Sequence, residues 1–441
     1  MIFYSDKQTT EDLGIFTKGR GKCVYELFNR THTHGASDLL REMFLTPLCT
    51  SEEINQRSSI IALFETNNIE FPYNAELFDA AEFYLSNTDS RTRLSRHEDN
   101  LERKFKSITG TDVNYKQIKK GIESILEILQ KTDKLVTTLL SLEHNENSTK
   151  IIQELRQISE CPEFEEAKKI KPRARLNYAT MADLDKTLRF KNISTTKRLL
   201  SQIYLTDIYI TVAGIKKKHN FSFAKASSDK STGIKISELF HPLLENPVPN
   251  SVEITPDGNV IFLTGANMAG KSTFMKSLGI AAYLAHMGFP VPAREMTFDV
   301  LEGIFTTINL PDNMCMGYSH FYAEVMRVKK VAESISKSRR LLVIFDELFR
   351  GTNVKDAYDA TVAVTKAFAT INNSFFVIST HIIEAGETLE KQCANIRFLY
   401  LPTEMEGNTP VYSYKLQQGI TADRHGMLII RNERIPDILN Q

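Results

Sequence analysis

Two kinds of apolar spacing divide this chain. From about residue 65 to 218, apolar residues recur at three- and four-residue steps: Ile118, Ile122, Ile125 and Leu129, then Leu135, Leu139 and Leu142, with Lys, Glu and Gln between them. Such steps return to one side of a 3.6-residue helix, so they predict a single apolar stripe on a long helix, packed in a bundle or laid against a partner. Leu199 to Ile215 has the same character. Beyond residue 259 the pattern changes to short unbroken runs: V-I-F-L ending at Leu263, L-L-V-I-F ending at Phe345 and S-F-F-V-I-S ending at Ser379. These suit strands buried on both faces, as in a parallel sheet. Ser222 to Gly233, rich in Ser and Lys, reads as a loop between the two regimes.

Each apolar run is followed by residues with chemistry. Gly265 to Thr273 (G-A-N-M-A-G-K-S-T) satisfies the phosphate-loop pattern, between a strand and the helix-compatible run Phe274 to Met287. Gly265 and Gly270 let the backbone turn tightly around Ala266, Asn267, Met268 and Ala269, so that successive N–H groups form an anion-binding cup. Lys271 then reaches the β- and γ-phosphates, and the Ser272 hydroxyl suits Mg²⁺. Asp346 and Glu347 follow the second run, at the end of the strand where open α/β sheets carry their ligand chemistry. Asp346 suits the Mg²⁺ shell, and Glu347 suits the group that orients or deprotonates an attacking water. Thr380 and His381 follow the third run, and the histidine could bond a γ-phosphate or the lytic water. The plainer alternatives are a chance glycine-rich match, a solvated acidic turn and a structural histidine.

Bulk numbers are permissive. With 441 residues, 42% hydrophobic and 24% charged, the chain can bury a substantial core, as two domains. Its 54 basic and 54 acidic residues cancel, so nucleic-acid binding would have to rest on local patches. Lys168 to Lys218 is one candidate, with thirteen Lys or Arg against Asp183, Asp185 and Asp207. It reads equally as a DNA-binding patch and as a solvated helical face. Cys23, Cys49, Cys161, Cys315 and Cys393 are odd in number and scattered, which suits free thiols in a reducing compartment. No signal-peptide pattern is present and no apolar run reaches the roughly 18 residues of a membrane span, so a cytoplasmic protein with no membrane partner is expected. His32 and His34 lack a third metal ligand nearby.

Together the motifs resemble a family. T-G-A-N-M-A-G-K-S-T is similar to the T-G-P-N-M-x-G-K-S-T loop of the MutS mismatch-repair ATPases, D-E-L-F-R-G-T to their D-E-x-G-R-G-T, and S-T-H to their A-T-H. Phe305 to Val325 follows their F-T-R-I-G-A-x-D-x-x-x-x-G-x-S-T-F-x-x-E-M. Glu26 to Gly35, with Leu39-Leu40-Arg41, Pro47-Leu48 and Ile54, resembles the start of their lever domain.

The resemblance implies a multidomain α and α/β protein: an all-helical core or lever domain over residues 1–221, then an ABC-type P-loop ATPase domain over 222–441. It implies ATP and Mg²⁺ as cofactors, ATP hydrolysis driving a conformational cycle on double-stranded or structured DNA, and a homodimer through the ATPase domain. Gly317 and Ser319 would complete the partner's nucleotide site, although Asn309, Pro311 and His320 depart from the family pattern there. Tyr414 falls at a family position near the base, where Pro247 and Val248 stand in place of an aromatic residue. His241-Pro242-Leu243 is similar to the family's R-H-P-x-L, with Phe240 for its arginine. Val24 to Phe28 imitates the family's mismatch wedge but sits in the lever pattern, and Phe164 matches only a bare tripeptide. Mismatch-reading and full clamp segments are not expected. The alternative is a nucleotide-gated interaction ATPase that does not bind DNA directly.

Overall fold

The structure, a computed structural model, describes residues 3–16, 22–94, 113–143, 146–170, 176–229, 231–308, 320–337, 339–406, 409–421 and 438. Along the chain, helices α1 (Lys7–Asp12), α2 (Val24–Phe28), α3 (His34–Leu45), α4 (Ser51–Thr66), α5 (Ala75–Ser86), α6 (Val113–Leu140), α7 (Glu146–Ser159), α8 (Tyr178–Asp185) and α9 (Ile193–His219) precede the first strand. Contacts gather into two compact units that interleave in sequence. One comprises Met1–Leu27, Phe44–Ser58 and Ile215–Gln441, the other Phe28–Met43 and Ser59–Gly214. Among the described residues no helix is long and apolar enough to cross a membrane.

The second unit is helical. In α6, Ile118, Ile122, Ile125, Leu129, Leu135 and Leu139 are all buried, which is the stripe the spacing predicts, and the helix packs chiefly on α5. Each such side chain contributes about 1.5–3 kcal/mol by leaving water, so the stripe alone is a strong reason for the helix to dock. Leu142 lies just past the end of α6. Beyond α8 the chain continues into a π-helical turn, Lys186–Lys191, whose Arg189 is wholly buried. The guanidinium is tolerated there because every face of it is bonded. Asp185 accepts from Nε and Nη2 at 2.8 Å each, and the oxygens of Asn87 and Thr92 take the remaining N–H groups. The Tyr84 hydroxyl and Leu94 amide, both at 2.9 Å, complete Asp185. His32 has a structural setting too: its Nδ1 lies 2.8 Å from Asp207 and its ring stacks on Phe71. Phe164 is a core residue.

The first unit carries the sheets. Its strands are β1 (Ser222–Ser227), β2 (Ile234–Leu239), β3 (Asn250–Ile254), β4 (Val260–Gly265), β5 (Pro290–Val291), β6 (Glu295–Asp299), β7 (Gly303–Thr307), β8 (Leu341–Phe345), β9 (Phe375–Ser379), β10 (Ile396–Leu401), β11 (Thr403–Glu406), β12 (Thr409–Tyr412) and β13 (Gln417–Gln418). The main sheet runs β13-β10-β4-β9-β8-β7, and every pairing is parallel except that of the short edge strand β13. Parallel neighbours need crossovers. Helices α11 (His320–Ile335), α12 (Val354–Ala369) and α13 (Ile383–Gln392) supply those from β7 to β8, β8 to β9 and β9 to β10, while α10 (Lys271–His286) follows β4. Phe368 stacks on Phe376 with centroids 4.4 Å apart, which fixes α12 against β9. The register sets Leu263 beside Ser379 and Phe345 beside Ile378, so the carboxyl ends of β4, β9 and β8 lie side by side.

A second, mixed sheet runs β3-β2-β6-β1-β5. Its strand β1 corrects the expectation of a loop over Ser222–Ser227, whereas the described residues from there to Gly233 are in no helix or strand. Ala224 and Ala226 are its buried residues, opposite Met296 and Phe298 of β6, and two alanines among Ser and Lys carry too little apolar signal to announce a strand.

Candidate functional site

The glycine-rich loop leaves β4 and ends at the first turn of α10. Gly265 and Gly270 have φ of 145° and 103°, a region that residues with a Cβ adopt only under strain. Gly270 stands at the N-cap of α10, so the unpaired N–H groups of that helix begin where the loop ends. Lys271 is buried, and its ammonium bonds the carbonyls of Gly265 at 2.8 Å and Ala266 at 3.1 Å. Burial lowers its pKa, against the opposing pull of the Asp346 and Glu347 charges. A buried ammonium held only by carbonyl dipoles, beside a helix N-terminus, is suited to an anion.

Asp346 and Glu347 form the turn after β8. The Ser272 hydroxyl donates to Asp346 Oδ2, and the Ser379 hydroxyl donates to Oδ1 at 2.5 Å. Ser379 also accepts the amide of Glu347 at 3.2 Å, so one hydroxyl at the end of β9 fixes both acidic residues. Glu347 Oε1 lies 2.6 Å from His381 Nε2, and Arg350 donates to Oε2 at 3.1 Å. The His381 bond is the largest influence on Glu347 and, with Arg350, outweighs burial to hold its carboxyl down to about 2. Glu347 is therefore an anion throughout the neutral range. Met268, Glu347, Phe349 and Tyr414 all have positive φ, at 70°, 55°, 64° and 55°. Each such conformation costs on the order of 1 kcal/mol or more, and a cluster of them points to a site whose geometry is held by its surroundings.

Beside the loop lies a cavity of about 450 Å³, lined by Phe240, His241, Pro247, Val248, Met268 and Tyr414 among others. Asn250 ties its two walls together. Its Nδ2 donates to the Tyr414 carbonyl at 2.9 Å and its Oδ1 accepts from the Leu416 amide at 2.8 Å. A Cβ on Gly270 would stand 3.1 Å from the Tyr414 ring, so the ring edges directly onto the loop.

The structure thus brings together Gly265, Gly270, Lys271, Ser272, Asp346, Glu347 and His381, with Tyr414 and Met268 at the neighbouring cavity. Gly317 and Ser319 lie outside the described residues, as do Asn309 and Pro311. Ser379 and Arg350 are site residues that the sequence reading passed over. Ser379 stands where the resembling motif has alanine, and that departure was the available signal. In the basic stretch, Lys168 pairs with Asp133 at 2.7 Å, Lys169 with Glu166 at 2.6 Å, and Arg189 is internal. Lys216, Lys217 and Lys218 close the last turn of α9, where a helix favours cations. Lys171, Arg173 and Arg175 lie outside the described residues.

Comparison with known proteins points to the same part of the chain. Residues 261–441 match the family model of MutS domain V, a span that holds every residue just brought together from Gly265 onward. This carboxyl-terminal part of the chain is similar to MutS proteins. Three relatives, each named DNA mismatch repair protein MutS, bear this out at low identity. That of Petrotoga mobilis is 22% identical, over 98% of this chain and 63% of its own length. That of Staphylococcus haemolyticus is 27% identical over 55% of this chain and 28% of its own length, and that of Listeria welshimeri 24% over 88% and 44%. The chain therefore spans less than two thirds of the length of these MutS relatives.

Proposed function

We propose that this chain binds ATP with Mg²⁺ and hydrolyses it, and that the nucleotide cycle changes how it engages DNA in mismatch repair or a related DNA-processing reaction. The observation that carries this reading is the meeting of Lys271, Ser272, Asp346, Glu347 and His381 at the ends of three adjacent parallel strands. In this P-loop reading, Lys271 exchanges its carbonyl partners for β- and γ-phosphate oxygens, and the backbone N–H groups of Ala266 to Thr273 cradle the rest. Ser272 and Asp346 offer two hard oxygen donors side by side, a set that fits Mg²⁺, which leaves its other positions to phosphate and water. The bound cation supplies charge neutralisation on the phosphates. Glu347, held ionised, aligns the attacking water and accepts its proton, while His381 steadies Glu347 and faces the γ-phosphate. The Tyr414 ring and the cavity around it take the adenine.

The decisive measurement is ATP turnover with Mg²⁺, alone and with duplex, mismatched and branched DNA. Lys271→Ala should lose nucleotide affinity, and wild-type protein that neither binds nor cleaves ATP would reject the reading. Family resemblance supports a homodimer in which Gly317 and Ser319 complete the partner's site. Mixing Lys271→Ala with Ser319→Arg subunits should then recover activity that neither has alone, since one interface of the heterodimer is intact. Heterodimers that form without recovery would exclude the shared site.

A second reading, a nucleotide-gated interaction protein that does not touch DNA, is favoured by the balanced charge and by the partners of Lys168, Lys169 and Arg189. DNA-independent turnover, with no salt-sensitive retention on duplex, would select it.

A further inference from the structure

β7 is the outermost strand of the main sheet on the side of β8, and an outermost strand offers every second backbone N–H to whatever lies beside it. Here those groups belong to Ile304, Thr306 and Ile308. The Ile304 amide donates to the Tyr4 carbonyl at 3.0 Å, the Thr306 amide to the Thr9 hydroxyl at 3.1 Å, and the Ile308 amide to Asp12 Oδ2 at 2.9 Å. Residues 4–12 therefore continue the sheet with one carbonyl, one hydroxyl and one carboxylate, taken in order along the strand. Gly303 makes the approach possible, since a Cβ there would lie 2.3 Å from the Tyr4 oxygen. Asp12 Oδ2 also accepts from the Thr306 hydroxyl at 2.8 Å, and its Oδ1 from Gln8 at 2.8 Å.

Arg327 of α11 closes the arrangement. It pairs with Asp6 and donates to the Thr306 carbonyl at 2.8 Å and the Thr307 hydroxyl at 3.2 Å. Thr9, Asp12, Thr306 and Arg327 are all buried, so these bonds do not compete with bulk water. On its other side β7 pairs with β8, and there the Thr307 carbonyl accepts the amide of Asp346 at 2.9 Å. Thr307 is thus held through its side chain by Arg327 and in turn holds the first residue of the acidic turn through its backbone.

We propose that Asp12, seconded by Thr9, is a positioning residue for the Asp346–Glu347 turn. By saturating the outer edge of β7 it fixes the height of Thr307, and with it the place where Asp346 leaves the sheet. Thr9 and Asp12 bond Thr306 and Ile308 and belong to neither the phosphate loop nor the acidic turn. The effect on catalysis rests on the function proposed above, whereas the effect on the backbone does not.

The test compares Asp12→Ala, Asp12→Asn and wild type by amide hydrogen exchange of the nucleotide-free protein and by steady-state ATP turnover. Asp12→Ala should speed exchange about tenfold or more both at residues 304–308 and at Asp346 and Glu347. Its kcat should fall by roughly tenfold or more, the scale of a sub-ångström misplacement, with KM for ATP changed less than about threefold. Asp12→Asn should keep both properties near wild type, because its Oδ1 still accepts from Thr306 and Ile308 while its amide can meet the Gln8 oxygen. Faster exchange confined to 304–308, or a raised KM with unchanged kcat, would overturn the proposal. Should Asp12→Ala fail to fold, Thr9→Val removes one acceptor and should give the same pattern at smaller size, and unaltered exchange at Asp346 would overturn the proposal. Wild-type protein without turnover would remove the proposed function, and the exchange data would still decide this point.

Discussion

Asp185 and Glu347 each have an arginine within hydrogen-bond distance, Arg189 at 2.8 Å and Arg350 at 3.1 Å, yet their surroundings differ in kind. Asp185 is wholly buried and both of its oxygens are consumed, by Arg189, Tyr84 and Leu94. Glu347 keeps 23% of its side chain accessible, its arginine is 54% exposed, and its backbone is held at positive φ. A closed set of partners makes a structural ion pair, whereas an open and strained one can take part in chemistry. Partner identity alone would not tell them apart.

The comparison can be broken at its closed end first. Asp185→Ala leaves Arg189 charged and buried, which should cost about 3–5 kcal/mol in denaturant unfolding. The paired change Asp185→Leu with Arg189→Met removes the unpaired charge and should recover part of that loss, the Tyr84 hydroxyl and Leu94 amide still lacking their acceptor. Equal damage from single and double variants would show that the buried charge is not what is at stake.

A buried neutral group extends the same rule to pH. His286 is wholly buried, with Nδ1 at 2.8 Å from the Ala282 carbonyl and Nε2 accepting the Leu301 amide at 2.9 Å, and burial pushes its pKa down to about 4. The unfolded chain binds this proton near 6.5 and the folded one only near 4, so stability rises with pH across that window and is lost on acidification. The loss should approach about 3 kcal/mol at the acid end. His286→Gln should flatten stability between pH 6.5 and 4.5, whatever its effect at neutral pH.

At the open end the expected effects are on rate. Glu347→Gln should slow turnover by roughly 10²-fold or more while ATP still binds and the unfolding midpoint is preserved. With its carboxyl held down to about 2, no acid limb centred near 4.5 should appear in the wild-type rate profile, and finding one would contradict the His381 bond. Arg350→Ala should do least, at most about 1 kcal/mol in stability, because the pair is largely exposed.

Much of the site was readable from sequence because its residues follow directly on strands that announce themselves. Val260–Gly265 and Leu341–Phe345 are buried at every position, so uninterrupted apolar runs marked them, and chain continuity then carried Lys271 and Asp346 to the same sheet edge. The α6 stripe was readable for a similar reason: one helix repeats one spacing. Strand β1 was not, since its buried positions are alanines. Tyr414 joins its cavity through a loop tied by Asn250, and nothing local in Y-S-Y-K foretells that amide. Thr9 and Asp12 were hidden altogether. K-Q-T-T-E-D has no apolar period, and the residues of β7 that Thr9 and Asp12 bond are some 300 residues further along the chain.

That separation bears on how the protein is made. Thr306 follows Asp12 by 294 residues, so at a ribosome adding about 5–20 residues per second the two are born roughly 15–60 s apart. An apolar strand left waiting that long would offer itself to other nascent chains. What waits here is a short polar segment that water satisfies well, and the sheet gains its last neighbour without ever having held an adhesive one in reserve.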